Sequence, residues 1–271
     1  MKVRLHMSHR TMSNFAGVIL DLDGVIWVSG SLSQSAGYLI ETLQTFRIPF
    51  CVLTNDCTCS SAQRREQLRR AGLVLSPNEL VTAPMVTRDW LLKQGYSTIR
   101  YLGRVEALED LEPIIVVAQG PADAVVIGDL FDTYSRRDLE EAAAMIMGGT
   151  PFIAMQRKRT WADGSNRYID NGFWIAGMEF VTSVQADIVG KPNSVAYQSA
   201  FDRLGVSETL KASVVMISDD LEVDLFGAKQ FGLATVYVGS GLEDQPQWLD
   251  LCVKDLNCLA REIREAANGG K

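Results

Sequence analysis

Residues Ile19–Trp27 read ILDLDGVIW, an apolar run interrupted by Asp21 and Asp23 and followed at once by Gly24. Gly17–Leu20 has the unbroken apolar character of a strand buried on both faces, as parallel strands are. Two acids one residue apart at the end of such a strand need a physical reason. Like charges held close raise one another's pKa unless a cation neutralises them. Residues i and i+2 of an extended segment point the same way, so Asp21 and Asp23 are expected to face one site.

The pattern recurs along the chain. Strands are expected at Phe50–Leu53 and Leu80–Thr82, with an apolar helical face of Tyr38, Leu39, Leu43 and Phe46 around the helix Ala36–Thr45 between the first two. Ser60–Ala71 is a charged helix ended by Gly72. A C-terminal set follows: strand Ala186–Val189, helix Val195–Leu204, strand Val214–Ser218, helix Asp224–Phe231 and strand Ala234–Val238. Trp248–Ala267 reads as a closing amphipathic helix. Between the two sets lie strands at Thr98–Leu102, Ala124–Ile127 and Pro151–Met155 and a helix at Arg136–Met147, enough for a separate inserted module. Alternating strands and helices predict an α/β fold built on parallel sheets. The expected division is a flexible tail 1–14, a core of 15–82 and 183–267, and an inserted α/β domain 83–182.

Composition narrows the chemistry. The 271 residues are 47% hydrophobic and 22% charged, ordinary for a globular chain. With 26 Lys and Arg against 33 Asp and Glu the net charge is −7, which argues against nucleic acid or an anionic membrane surface as partner. Met1–Asn14 is polar and basic, and the apolar run after it soon meets Asp21, so no membrane or secretory segment is expected and a cytoplasmic location is the expectation. Five cysteines are an odd number, and Cys57-Thr-Cys59 has no second pair or nearby histidine, so these read as ordinary thiols. The only histidines are His6 and His9 in the tail, which excludes a histidine-based triad or zinc site in the folded body.

Ligands of parallel sheets gather at the carboxyl ends of strands. There this sequence places Asp21 and Asp23, then Thr54, Asn55 and Asp56, then Gly190 and Lys191, then Asp219, Asp220 and Asp224. Asp21, Asp23 and Asp219 form an all-oxygen donor set of the kind that suits Mg²⁺. Asp21 can attack phosphorus as a carboxylate nucleophile. Asp23 can serve as general acid for the leaving oxygen and then as base for water. Lys191 offsets negative charge, while the Thr54 hydroxyl and the Asn55 backbone N–H, near a helix start, can hold phosphate oxygens. Taken singly, each motif reads as a solvated turn, a helix cap or a loop; together, at the ends of strands expected in one sheet, they point to a shared metal and phosphate site.

These residues resemble the haloacid dehalogenase (HAD) superfamily of aspartate-nucleophile phosphatases. Asp21-Leu-Asp23-Gly24-Val25 is similar to its first motif, Leu53-Thr54-Asn55 to its second, Gly190-Lys191-Pro192 to its third and Asp219-x4-Asp224 to its fourth. An insert between the second and third motifs resembles the NagD-like, class IIA group. Pro151–Met155, Arg159, Tyr168–Gly172 and Met178–Phe180 are most similar to its phospholysine phosphohistidine inorganic pyrophosphate phosphatase subgroup. The resemblance implies a Rossmann-like parallel-sheet core with a C2-type α/β cap, Mg²⁺ held by the Asp21 side chain, the Asp23 carbonyl and Asp219, Asp224 as outer support, and an aspartyl-phosphate at Asp21. It favours phosphatase over C–halogen cleavage, because dehalogenases lack an acid at the place of Asp23.

The expected activity is hydrolysis of small phosphorylated metabolites, with pyrophosphate within range and a homodimer left open. A phosphotransferase or mutase, and a silent Mg²⁺/phosphate-binding module, remain the alternatives. Two departures from the family pattern support the silent reading: Asp56 stands where a second Asn is usual, and Ser218 where Gly is usual. Substrate choice is expected to lie with the cap, where Gln156-Arg-Lys-Arg159 offers three cations, Arg159 among them as a substrate contact. Trp161 and Phe173 are expected in the cap core.

Overall fold

The computed structural model describes residues 15–130, 134–163, 166–240, 242 and 244–269. The expected tail 1–14, with both histidines, lies outside them. In chain order the elements are β1 (Gly17–Leu20), β2 (Trp27–Val28), β3 (Ser31–Leu32), α1 (Gln34–Thr45), β4 (Phe50–Leu53), α2 (Ser61–Arg70), β5 (Leu80–Val81) and α3 (Ala83–Gln94). Next come β6 (Thr98–Leu102), β7 (Ile115–Val116), β8 (Ala124–Ile127), α4 (Arg136–Met147), β9 (Phe152–Ala154), β10 (Thr160–Asp163), β11 (Asn166–Ile169) and α5 (Asn171–Thr182). The chain finishes with β12 (Asp187–Ile188), α6 (Ser194–Leu204), β13 (Val214–Ser218), α7 (Phe226–Phe231), β14 (Ala234–Val238), β15 (Leu251–Val253) and α8 (Leu256–Gly269).

The chain divides into two compact units. Among the described residues, the first comprises those up to Leu53, Leu68–Leu80 and those from Tyr197 onward; the second comprises those of Thr54–Gln67 and Val81–Ala196.

The first unit is built on a sheet of order β15-β14-β13-β1-β4-β5. β1 pairs in parallel with β4 on one side and β13 on the other, with Leu20 opposite both Val52 and Ile217. The chain therefore runs outward from β1 to β4 and β5, then returns to build β13, β14 and β15 on the opposite side. That reversal makes the carboxyl ends of β1 and β13 a topological switch point, the usual ligand position in such sheets. Val18 and Leu20 of β1, Val52, Val215 and Ile217 join Leu39, Ile40 and Leu43 of α1 and Leu256, Leu259 and Ile263 of α8 in one buried cluster. Ser33 caps α1. Across its outer side Arg264 of α8 lies over the Tyr38 ring and donates to the Thr42 hydroxyl at 2.9 Å.

The second unit carries a five-stranded sheet of order β12-β9-β8-β6-β7, parallel at every pair. Its core packs Leu102, Val125, Ile127, Phe152 and Ala154 against Ala142 and Ile146 of α4 and Ile175 and Met178 of α5.

Three expectations change. The strand before Lys191 does not join the same sheet as β1 and β13; Asp187 and Ile188 pair with Ile153 and Ala154 in the five-stranded sheet. An apolar run sets a strand but not its partner, which register and tertiary packing choose. The segment from Trp248 is not all helix, because Leu251–Val253 forms β15 beside β14 and α8 starts only at Leu256, where Asp255 accepts the Asn257 N–H at 2.8 Å. The helix expected at Asp224 begins instead with a wide turn, Leu221–Leu225, closed by i→i+5 bonds from the Leu225 N–H to the Asp220 carbonyl and from the Phe226 N–H to the Leu221 carbonyl. Among the described residues no helix is long and apolar enough to cross a membrane.

Candidate functional site

In the first unit, β1 stops at Leu20 and the Asp21 N–H donates to the Ile217 carbonyl at 2.9 Å, so Asp21 sits at the β1 and β13 ends. Asp21 is buried and Asp23 exposed. The strand ends before either, so the strand alternation expected to aim both at one place does not apply. The chain bends instead through Gly24, at φ +88°, into the β2–β3 hairpin, with the Gly24 N–H on the Trp27 carbonyl at 2.8 Å.

Asp219 leaves β13 and closes against that bend. A Cβ on Gly24 would lie 2.1 Å from Asp219 Oδ2, so only glycine lets the carboxylate approach the backbone this closely. A polar cleft of about 410 Å³ opens beside the pair, lined by Ser33, Tyr237, Ser240 and Lys254 among others. Among the described residues no three His, Cys, Asp or Glu side chains are gathered as a metal cluster. The three-carboxylate set read from spacing is therefore not formed by side chains alone. Two carboxylates and a backbone carbonyl are hard oxygen donors, and Mg²⁺ fits such a set because it keeps much of its water shell.

Behind Asp219 the turn is braced from several sides. The Ser218 hydroxyl donates to Asp224 Oδ2 at 2.7 Å and accepts the Asp220 N–H at 3.1 Å. Asp220 Oδ1 accepts from the Glu222 and Val223 N–H groups. The Tyr197 hydroxyl, on α6, donates to the Val223 and Asp224 carbonyls at 3.0 and 2.8 Å. Burial pushes the Tyr197 phenol up, and the charges of Asp224, Asp21 and Asp220 add to that. The side chain that departs from the usual Gly thus orients Asp224.

In the second unit, Thr54 and Asn55 are buried just past β4. The Asn55 amide clamps Lys191 by its backbone: Nδ2 donates to the Lys191 carbonyl and Oδ1 accepts the Lys191 N–H, both at 2.9 Å. Gly190 makes the clamp fit, since a Cβ there would lie 2.3 Å from the Met155 carbonyl and 2.7 Å from Asn55 Oδ1. Lys191 itself is 1% exposed.

Asp56 is not a loose charge. Its Oδ2 takes Nε and an NH₂ group of Arg64 at 3.0 and 2.5 Å, and its Oδ1 takes the Thr58 N–H and hydroxyl. Asp56 and Ser218 both serve the local architecture, which removes the sequence ground for a silent module. α2 starts at Ser61, six residues past Asn55, so Asn55 is not at a helix start. No sequence signal marked the Asn55–Lys191 clamp, whose partners are 136 residues apart.

The basic loop is less available than its sequence suggested. Arg157 is held by both oxygens of Glu179, at 2.9 and 2.5 Å. Gln156 donates to Asp170 Oδ1 at 2.7 Å. Arg159 is exposed. Trp161 and Phe173 are not core residues: they are 46% and 56% exposed, Trp161 stacked on Tyr168 and Phe173 edge-on to Trp174. Thr160, Trp161 and Asn166–Ile169 of the β10–β11 hairpin are all exposed, so the Trp161 ring has no core to enter there. Cys57 and Cys59 are buried free thiols, and burial pushes both up.

Comparison with known proteins matches this architecture. A family model described as haloacid dehalogenase-like hydrolase matches residues 18–114, and a second HAD-like hydrolase model matches residues 188–258. The chain is 29% identical to the sugar-phosphatase AraL of Bacillus subtilis over 96% of this chain and 98% of that protein. It is 26% identical to the human phospholysine phosphohistidine inorganic pyrophosphate phosphatase, covering 86% of each. Its structure superimposes on the 4-nitrophenylphosphatase of Thermotoga maritima with a TM-score of 0.86 at 25% identity, covering 94% of this chain and 100% of that one.

Proposed function

Because the chain belongs to the haloacid dehalogenase-like hydrolases and is a phosphoric monoester hydrolase of that family, we propose that it hydrolyses small phosphorylated metabolites, sugar phosphates foremost, through an aspartyl-phosphate on Asp21. The observation that carries this reading is the seating of the Asp219 carboxylate against Gly24 at the switch point where Asp21 leaves β1. The AraL resemblance over nearly the whole chain supports sugar phosphates, and the human relative's name puts pyrophosphate in the range to be tested.

Asp21, the Asp23 carbonyl and Asp219 would hold Mg²⁺, with Asp224 behind them; the ion, when bound, supplies positive charge that lets carboxylates and phosphate share one place. A carboxylate oxygen of Asp21 attacks phosphorus, the ester P–O bond breaks, and Asp23 gives its proton to the leaving oxygen. Asp23, now a carboxylate and exposed to solvent, takes a proton from water as that water attacks the aspartyl-phosphate and releases inorganic phosphate. Thr54 and the Asn55 N–H receive phosphate oxygens. Lys191, whose buried ammonium is tolerable only among anions, offsets their charge. Arg159, exposed on the basic loop, is assigned to the distal part of the substrate.

The test is turnover of p-nitrophenyl phosphate with Mg²⁺, followed by a panel of phosphorylated metabolites that includes pyrophosphate. Asp21→Asn is expected to abolish turnover with the fold intact; full activity in that variant would overturn the mechanism. Release of stoichiometric inorganic phosphate separates hydrolysis from a mutase, which would return an isomeric phosphate ester.

A further inference from the structure

The loop Thr54–Ser61 is tied at both ends by groups outside it, all within the second unit. At its start the Thr54 N–H donates to the Val81 carbonyl at 3.0 Å. At its end the Ser61 N–H and hydroxyl donate to the two oxygens of Asp110, each at 2.7 Å. The oxygen that takes the Ser61 N–H also accepts the hydroxyl of Thr82, the residue after Val81, at 2.8 Å. One carboxylate therefore closes a ring that runs from Thr54 to Val81, through Thr82 to Asp110, and from Asp110 to Ser61. The adjacent Glu109 accepts the Ser60 hydroxyl at 2.7 Å, while Ser60 Oγ accepts the Gln63 N–H at 3.3 Å at the start of α2. Asp110 is 6% exposed and Ser60 and Thr82 are fully buried. A carboxylate so buried needs several donors to replace its lost hydration, and three reach it here.

We propose that Asp110 is the positioning residue of the phosphate-binding loop. Through Ser61 and Thr82 it holds both ends of the segment that carries Thr54 and Asn55, so that the loop is ordered before a phosphate arrives. The inference rests on the assignment of Thr54 and Asn55 to phosphate binding made above. Without the tie, ordering the loop draws on binding free energy in the ground state and the transition state alike. Such a uniform loss raises KM and leaves kcat in place. A purely structural role would lower stability and leave KM unchanged in the folded enzyme.

The test is steady-state hydrolysis of p-nitrophenyl phosphate at saturating Mg²⁺ by the full chain and its Asp110→Ala and Asp110→Asn variants, with inorganic phosphate as competitive inhibitor and circular dichroism to verify folding. For Asp110→Ala, KM and the phosphate inhibition constant are expected to rise about tenfold, with kcat held within about twofold. Asp110→Asn keeps an acceptor for the Ser61 N–H and lets the Ser61 hydroxyl turn round, so its rise is expected to stay under about threefold. A folded Asp110→Ala enzyme with both constants within about twofold of wild type overturns the proposal. If Asp110→Ala does not fold, Thr82→Val decides: a rise of about threefold supports the tie and an unchanged KM overturns it. A wild-type protein without turnover would instead remove the phosphatase reading; calorimetric titration of wild type and variant with inorganic phosphate would then decide Asp110, weaker binding by the variant supporting its role and equal binding overturning it.

Discussion

The Ser218 hydroxyl donates to the Asp224 carboxylate at 2.7 Å, and neither side chain is exposed to solvent. The orientation of Asp224 thus depends on the residue that immediately precedes Asp219. Ser218→Ala would strip a donor from a buried carboxylate and an acceptor from the Asp220 N–H. A loss of about 1–3 kcal/mol of stability is expected in urea unfolding. On the Mg²⁺ assignment proposed above, the ion concentration for half-maximal turnover is expected to rise about tenfold, as losses behind a metal ligand do. A variant with the wild-type Mg²⁺ requirement would refute the link between Ser218 and the metal loop.

Glycine positions offer a paired test. Gly190→Ala forces a methyl to within 2.3 Å of the Met155 carbonyl, so backbone must move; a loss of at least about 3 kcal/mol, or failure to fold, is expected. Gly177, in α5, has nothing within 4 Å of the added carbon. Gly177→Ala is therefore expected to stabilise by about 0.5–1 kcal/mol through helix propensity. Thermal melts of both variants check the contrast, and equal effects would contradict it.

Asn55→Ala removes both bonds of the clamp on the buried Lys191 backbone. The expected stability loss is about 2–4 kcal/mol. Turnover should fall as well, since Asn55 and Lys191 are assigned to phosphate binding. Calorimetry on the purified variant measures the first; retained stability would show that the clamp is replaced by water.

Asp123 is held at about 2, below the ordinary carboxylate range, by the N–H groups of Ser97 and Thr98 and then by their hydroxyls. A folded-state pKa below the unfolded one means a contribution that is present above the ordinary value near ~4 and lost as pH falls toward about 2. The Asp123 carboxyl resonance should titrate near the lower value, and Asp123→Ala should flatten stability against pH in that window. A titration midpoint near the ordinary value would disprove the assignment.

Much of this was legible in the sequence. Short apolar runs marked β1, β4, β8 and β13, which are buried at every position, and β6 and β14, which are buried only in part; helical spacing marked α1 and a charged run ended by glycine marked α2. The acids and lysine at strand ends carried the family. What escaped notice depends on partners distant in sequence. Asp187–Ile188 is a strand in any reading, but only packing sends it to β9. Asp110 stands beside Glu109 and near Glu106 in Val105–Leu111 with no motif of its own, and the proposed role arises only because Ser61 and Thr82, 49 and 28 residues away in sequence, meet it. Trp161 and Phe173 misled because bulk alone does not tell a core ring from an exposed one.

The wide turn at Leu221–Leu225 carries one residue more per hydrogen-bonded ring than an α-helical turn. Deleting Val223 would let the segment settle into regular helix, but would swing Asp224 by about 100° around the axis, away from Ser218. A surface loop absorbs a residue gained or lost with little consequence. Under the metal assignment proposed above, the number of residues between Asp219 and Asp224 becomes a functional quantity, and the segment should accept changes of side chain far more readily than changes of length.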